Sequence, residues 1–124
     1  MPCNPDAIKC DDPTYLASNY PMVQASLTSS PFDICGAVWC AIQAVTTGTA
    51  TGTVGTFALQ GSVDGNTWTT IAGSTQNYNA TLDSWLWDVS NIGYTSIRFV
   101  WTLTSSTNNA TLLTVKAVKK VSVA

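Results

Sequence analysis

The sequence predicts an all-β protein: a single antiparallel β-sandwich, jelly-roll-like, with an extended N-terminal arm. Three observations predict it. Apolar residues recur at every second position over short stretches, the period of a strand with one buried face, and no stretch keeps a helical period. Gly, Pro, Asn and Asp fall between those stretches at regular intervals, as they do in sandwiches and jelly rolls. The supply of residues agrees: Thr, Val and aromatics are plentiful, Glu is absent and Met occurs twice, so good helix formers are scarce.

The 124 residues leave room for one domain and one core. The chain divides into an arm over 1–20 and a sandwich domain over 21–124. In the arm, Pro2, Pro5 and Pro13 rule out a regular helix and discourage a central strand. Extended, it lies across its own domain, reaches to a neighbour or stays disordered. Beyond Pro21 the strands follow in order. Met22 to Thr28 alternates, with Val23, Ala25 and Leu27 on one face. Phe32 to Cys35 is a short apolar run closed by Gly36. Ala37 to Val45 is almost continuously apolar and reads as a strand covered on both faces. Gly48, Gly52 and Gly55 punctuate a Thr-rich loop, where they permit a bulge or a close backbone approach. Phe57 and Leu59 then share a face, Asp64-Gly65-Asn66 makes a hairpin turn, and Trp68 to Ile71 returns. A polar loop over 73–81 leads to the strand of Trp85, Trp87 and Val89. Ile97, Phe99, Trp101 and Leu103 share one face of the next, and in the last Leu113, Val115, Ala117 and Lys119 oppose Leu112, Thr114, Lys116 and Val118.

Only 10% of the residues are charged, against about 25% in ordinary soluble domains, so Thr, Ser and Asn must clothe the surface. The net charge of −2 gives no field that would gather nucleic acid. Lys116, Lys119 and Lys120 cluster late in the chain, either as a solvated strand edge or as a contact for an acidic neighbour. The first twenty residues have no apolar run, so no secretory signal is expected there. No apolar stretch is long enough for a membrane span.

Catalytic chemistry finds little to stand on. Without His, neither Ser-His-Asp nor Cys-His nucleophile systems can form. Asp83 and Asp88, flanking Trp85 and Trp87, are the nearest candidates for a carboxylate pair, yet Asp beside turn residues more often caps a turn. The glycines between 48 and 55 lack the Gly-Lys-Ser/Thr of a phosphate loop. Asp64 and Asn66 offer oxygens, but the turn explains both without calcium. The sequence therefore predicts a non-enzyme with no cofactor and no metal. Four cysteines remain: Cys3 and Cys10 are the easiest local disulfide, zinc spacing fits poorly, and free thiols are the plain alternative. Cys40, mid-strand, reads as core filling. Of the five tryptophans, Trp39 and Trp101 read as core. Trp85 and Trp87, with Tyr78, are the candidates for an interface or for stacking on a sugar.

The segment Trp39-Cys-Ala-Ile-Gln-Ala-Val, and then Gly55-Thr-Phe-Ala-Leu-Gln-Gly-Ser-Val-Asp-Gly-Asn-Thr-Trp-Thr-Thr-Ile71, resembles a pattern of small bacteriophage virion proteins. There a strand ending in Leu-Gln-Gly-Ser-x-Asp-Gly is followed by Asn-x-Trp. Tyr94-Thr-Ser-Ile-Arg-Phe-Val and Ala110-Thr-Leu resemble later strands of the same family, so the likeness runs over roughly 36–120. It is similar, more faintly, to discoidin-type jelly rolls. The resemblance implies a virion structural protein of a tailed phage, made in the host cytoplasm. Within that class it implies a capsid decoration (cement) protein, typically a homotrimer bound to the major capsid protein. Tail, baseplate and head-fibre components are the alternative within the class, and a carbohydrate-binding module for host surface glycans the alternative outside it. The Cys/Pro arm departs from the family pattern, and the resemblance transfers no catalytic residue.

Overall fold

The computed structural model describes residues 2–4, 8–10, 13–48, 52–90, 93–106 and 111–122; for 2–4, 8–10, 121 and 122 it describes the backbone only. Twelve strands run β1 (Pro2–Asn4), β2 (Ile8–Cys10), β3 (Thr14–Pro21), β4 (Leu27–Thr28), β5 (Phe32–Asp33), β6 (Ala37–Thr47), β7 (Val54–Ser62), β8 (Thr69–Thr70), β9 (Gln76–Asn79), β10 (Ser84–Val89), β11 (Ser96–Ser105) and β12 (Leu112–Ser122). Every described pairing is antiparallel, and together they form two sheets. In the first, β12 is flanked by β3 and β2 on one side and β6 on the other, with β10 beyond β6 and β1 beyond β2. In the second, β11 and β7 form the centre, with β4 and β5 beside β11 and β8 and β9 beside β7. From β3 onward this is the jelly-roll arrangement of two sheets, each four strands wide.

The core is built from the alternation the sequence displays. Phe57 and Leu59 of β7, Ile97, Phe99 and Trp101 of β11, Cys40, Ile42 and Ala44 of β6, and Leu113, Val115 and Ala117 of β12 all point inward and are buried. Phe57 stands at the centre of an aromatic cluster, with ring centroids 4.9 Å from Trp85, 5.2 Å from Trp101, 5.4 Å from Tyr78 and 5.5 Å from Phe99. Tilted and edge-on geometries at such distances suit the ring quadrupoles. Gly55 supplies the close backbone approach expected of its loop: a Cβ there would overlap the Thr102 carbonyl oxygen and lie 2.5 Å from Trp101 Cη2. A bulge follows directly, where β11 slips between Leu103 and Ser105 against Gly55 and Val54.

Four expectations are corrected. The stretch 22–28 is mostly a turn, with the Gln24 amide donating to the Pro21 carbonyl at 3.3 Å. That turn drops Met22, rather than Val23, into the core, where its carbonyl accepts the Trp101 indole N–H at 3.1 Å. The polar loop at 73–81 contains β9, because Gln76–Asn79 pairs with Val54–Phe57. β6 lies between β12 and β10 yet has one buried face only. Trp39, Ala41 and Val45 are half-buried on the other side, and no described element lies over them. Trp39 therefore leaves the core, with the Lys120 ammonium 4.2 Å from its ring centroid.

Candidate binding surfaces

The side chains singled out from the sequence mostly turn inward. Trp87 is buried, and its indole N–H donates to the Ser74 carbonyl at 2.8 Å. Tyr78 is buried against Phe57, Trp85 and Trp101. Its burial pushes the phenol's pKa up, against opposing pulls from the Thr81 backbone and the Thr46 and Thr111 hydroxyls. Trp85 is half-buried with its ring edge-on to Phe57. In β10 the inward positions belong to Trp85, Trp87 and Val89, so Trp87 joins Tyr78 in the core and Trp85 packs against it. Asp83 and Asp88 fall on opposite parities of the same strand edge and are both exposed. The Asp83 backbone ties the chain to β6: its carbonyl accepts from the Thr46 amide at 3.0 Å.

Cys40 is buried, and desolvation pushes its thiol up to about 11, which keeps it protonated and unreactive. Cys35 is exposed and free. The Cys3 and Cys10 side chains lie outside the described residues; their backbones fall in the paired strands β1 and β2. Asp64 behaves as a turn residue. Its Oδ1 accepts from the Thr67 and Asn66 amides, both at 2.8 Å, and from the Ser62 hydroxyl at 3.0 Å. Those bonds, the Thr67 amide first, lower its pKa to about 2.

Three surfaces remain. The outer face of the first sheet sets Tyr15, Lys116, Gln43 and Leu86 in one row across four strands, with Val118, Ala41 and Asp88 in the next. Tyr15 and Leu86 are 57% and 63% exposed, so this is apolar area in contact with solvent. Lys116 lies 5.2 Å from the Tyr15 ring centroid, as Lys120 does over Trp39, so the two cations lie across aromatic faces. A shallow groove of about 160 Å³ runs between Pro13, Ala41, Leu86 and Val118.

The outer face of the second sheet is rich in Thr. There the Arg98 guanidinium sits 4.4 Å from the Trp68 ring centroid while its Nε donates to Gln60 Oε1 at 2.8 Å. The third surface is a cleft at one end of the sandwich. Its two adjoining lobes, of about 430 and 380 Å³, share Ile71, Ala72 and Tyr94. Tyr94 packs flat on Gly61, where a Cβ would lie 3.1 Å from the ring, and its burial raises the pKa of the hydroxyl.

Sequence reasoning missed Trp39 and Tyr15 as surface residues. The signal was present in cross-strand spacing: each stands opposite a lysine, Lys120 and Lys116, but only a known register reveals it.

No family model matches the chain, and no curated protein matches it. Solved structures similar to it include the following three. The SPBc2 prophage-derived protein YomS matches with a TM-score of 0.60 and 11% identity, over 90% of this chain and 94% of that one. The PBSX exported protein XepA matches at 0.55 and 17% over 91% of this chain; this chain spans 38% of that longer protein. A structure described as "CBM4 structure and function" matches at 0.50 and 12%, over 94% of this chain and 89% of that one. At these identities the likeness is one of fold: this chain is an antiparallel β-sandwich of the kind found in prophage-derived proteins and in CBM4.

Proposed function

We propose that the chain is a structural protein of a tailed-bacteriophage particle, acting by binding and not by catalysis. Within the particle it is a capsid decoration protein that stabilises the head through contacts with the major capsid protein and with its own copies. The observation that carries this reading is the outer face of the first sheet. It sets Trp39, Tyr15 and Leu86, all accessible, beside Lys116, Lys120 and Asp88. Such a face suits a neighbouring protein surface, since aromatic residues are enriched among binding anchors and the lysines beside them can meet an acidic partner. Each contact can be modest, because a lattice engages many copies at once. The fold likeness to prophage-derived proteins supports the setting.

The chain is expected in purified particles at a copy number set by capsid symmetry, as a homotrimer on the shell. Particles lacking it are expected to release DNA at lower temperature. Absence from particles, or unchanged particle stability without the chain, overturns the reading.

A second reading, a carbohydrate-binding module for host surface glycans, is favoured by a different surface. Trp68, beneath an Arg98 guanidinium that Gln60 holds, lies on a Thr-rich face and combines an aromatic plane with hydrogen-bonding groups, and the fold is shared with CBM4. It predicts glycan-dependent quenching of tryptophan fluorescence that Trp68→Ala abolishes. A glycan array without hits removes it.

A further inference from the structure

Strand edges present rows of open N–H and C=O groups, and natural sheets block them with short strands, bulges, Lys or Pro. Most edges here are blocked in those ways. β4, β5 and β8 are two residues each and β9 is four. β3 meets β12 through two shifts of register. β10 differs: its six residues run in unbroken register with β6, at the end of the strand order, without Lys or Pro. At its middle stands Leu86, 63% exposed.

The backbone of β10 fixes which groups face outward. The Thr46 amide donates to the Asp83 carbonyl at 3.0 Å, so the odd-numbered residues turn their polar groups toward β6. By the alternation of antiparallel ladders, Ser84, Leu86 and Asp88 turn theirs to the open edge. Among the described residues the Leu86 and Asp88 amides have no partner, and the Ser84 amide is held by Asp83 Oδ1 at 2.7 Å. An antiparallel pair of two β10 strands must therefore match even residues with even residues. The register centred on Leu86 uses all three: Leu86 faces Leu86, and Ser84 faces Asp88 twice. Sliding by one step in either direction leaves only two of them paired within the strand. In the centred register each opposed pair exchanges two bonds, about six in all, those at Ser84 replacing the Asp83 contact. Side chains agree. Two exposed leucines cover each other, and each carboxylate meets a hydroxyl instead of a second carboxylate.

We propose that β10 is a self-association edge. Two copies join antiparallel about a two-fold axis at Leu86, making the first sheet continuous across the pair. The contact is independent of the virion reading; a chain that pairs this way but never enters particles overturns that reading alone.

Native mass spectrometry over a concentration series is the test. The full chain is expected as an even-numbered assembly, a dimer, or a hexamer where three-fold association also operates. Leu86→Asp is expected to halve that mass while leaving the circular dichroism unchanged, since the side chain is exposed, and to remove any dependence of the melting temperature on concentration. In a Cys35→Ser background, Leu86→Cys should oxidise to a covalent dimer, because hydrogen-bonded pairs bring Cα atoms to about 5.5 Å. Asp88→Cys should not, its own counterpart being four residues, or roughly 13 Å, away. A monomer or trimer at all concentrations, a mass unchanged by Leu86→Asp, or equal cross-linking of the two cysteine variants overturns the proposal.

Discussion

Gly55 stands where a Cβ has no room. Its Cα lies against the Thr102 carbonyl and the six-membered ring of Trp101, itself fully buried. Neither the sheet backbone nor a locked indole can retreat, so Gly55→Ala is expected to destabilise the fold by about 3 kcal/mol or more, as overpacking of a rigid site does. Chemical denaturation measures it, and a loss below about 1 kcal/mol would show that the β7–β11 contact yields. At Asp64 the effect is one of protonation. Its pKa stands at about 2 in the fold against the usual 3.8, so the folded state favours the charged form. The contribution is complete above the usual value and is lost as pH falls through about 2. NMR titration should place the Asp64 midpoint well below that of a free Asp, and Ser62→Ala should move it upward by removing one donor.

Among the elements, β3 shows what periodicity alone leaves out. It falls in the segment that reads as a proline-punctuated arm, yet Thr14–Pro21 pairs with β12, and Leu16, Ala17 and Tyr20 pack against the core. The Tyr20 hydroxyl also donates to the Ala25 and Ser26 carbonyls, at 3.0 and 3.1 Å. Removal of residues 1–21 is expected to lower stability by several kcal/mol, at roughly 1–2 kcal/mol for each partly buried side chain lost. Removal of 1–12 should cost far less. Equal melting temperatures for the two truncations would show that β3 is dispensable. β7, β11 and β12 were legible as strands because each carries one clean apolar face. β9 was not, because Tyr78 is the one large apolar residue in it and its pairing with β7 supplies the rest.

For the whole molecule, the ladders join residues far apart in sequence. β12 pairs with β3 and β6, and β11 with β4, β5 and β7. Closing such loops before their contacts form is slow, so stopped-flow refolding is expected on the millisecond-to-second scale of high-contact-order sandwiches. Refolding in microseconds would show that local structure dominates. By itself the sequence determined the class of fold, the residues that share a face in β7, β10, β11 and β12, and the hairpin at Asp64, because period-two burial and turn chemistry are local. Only the tertiary structure decided that Trp87 and Tyr78 are core while Trp39 and Tyr15 face solvent. That choice depends on which strands lie side by side and which face has a second sheet over it, and no local pattern carries either. The open edge of β10 belongs to the same category: its residues were readable, but its position at the end of a sheet was not.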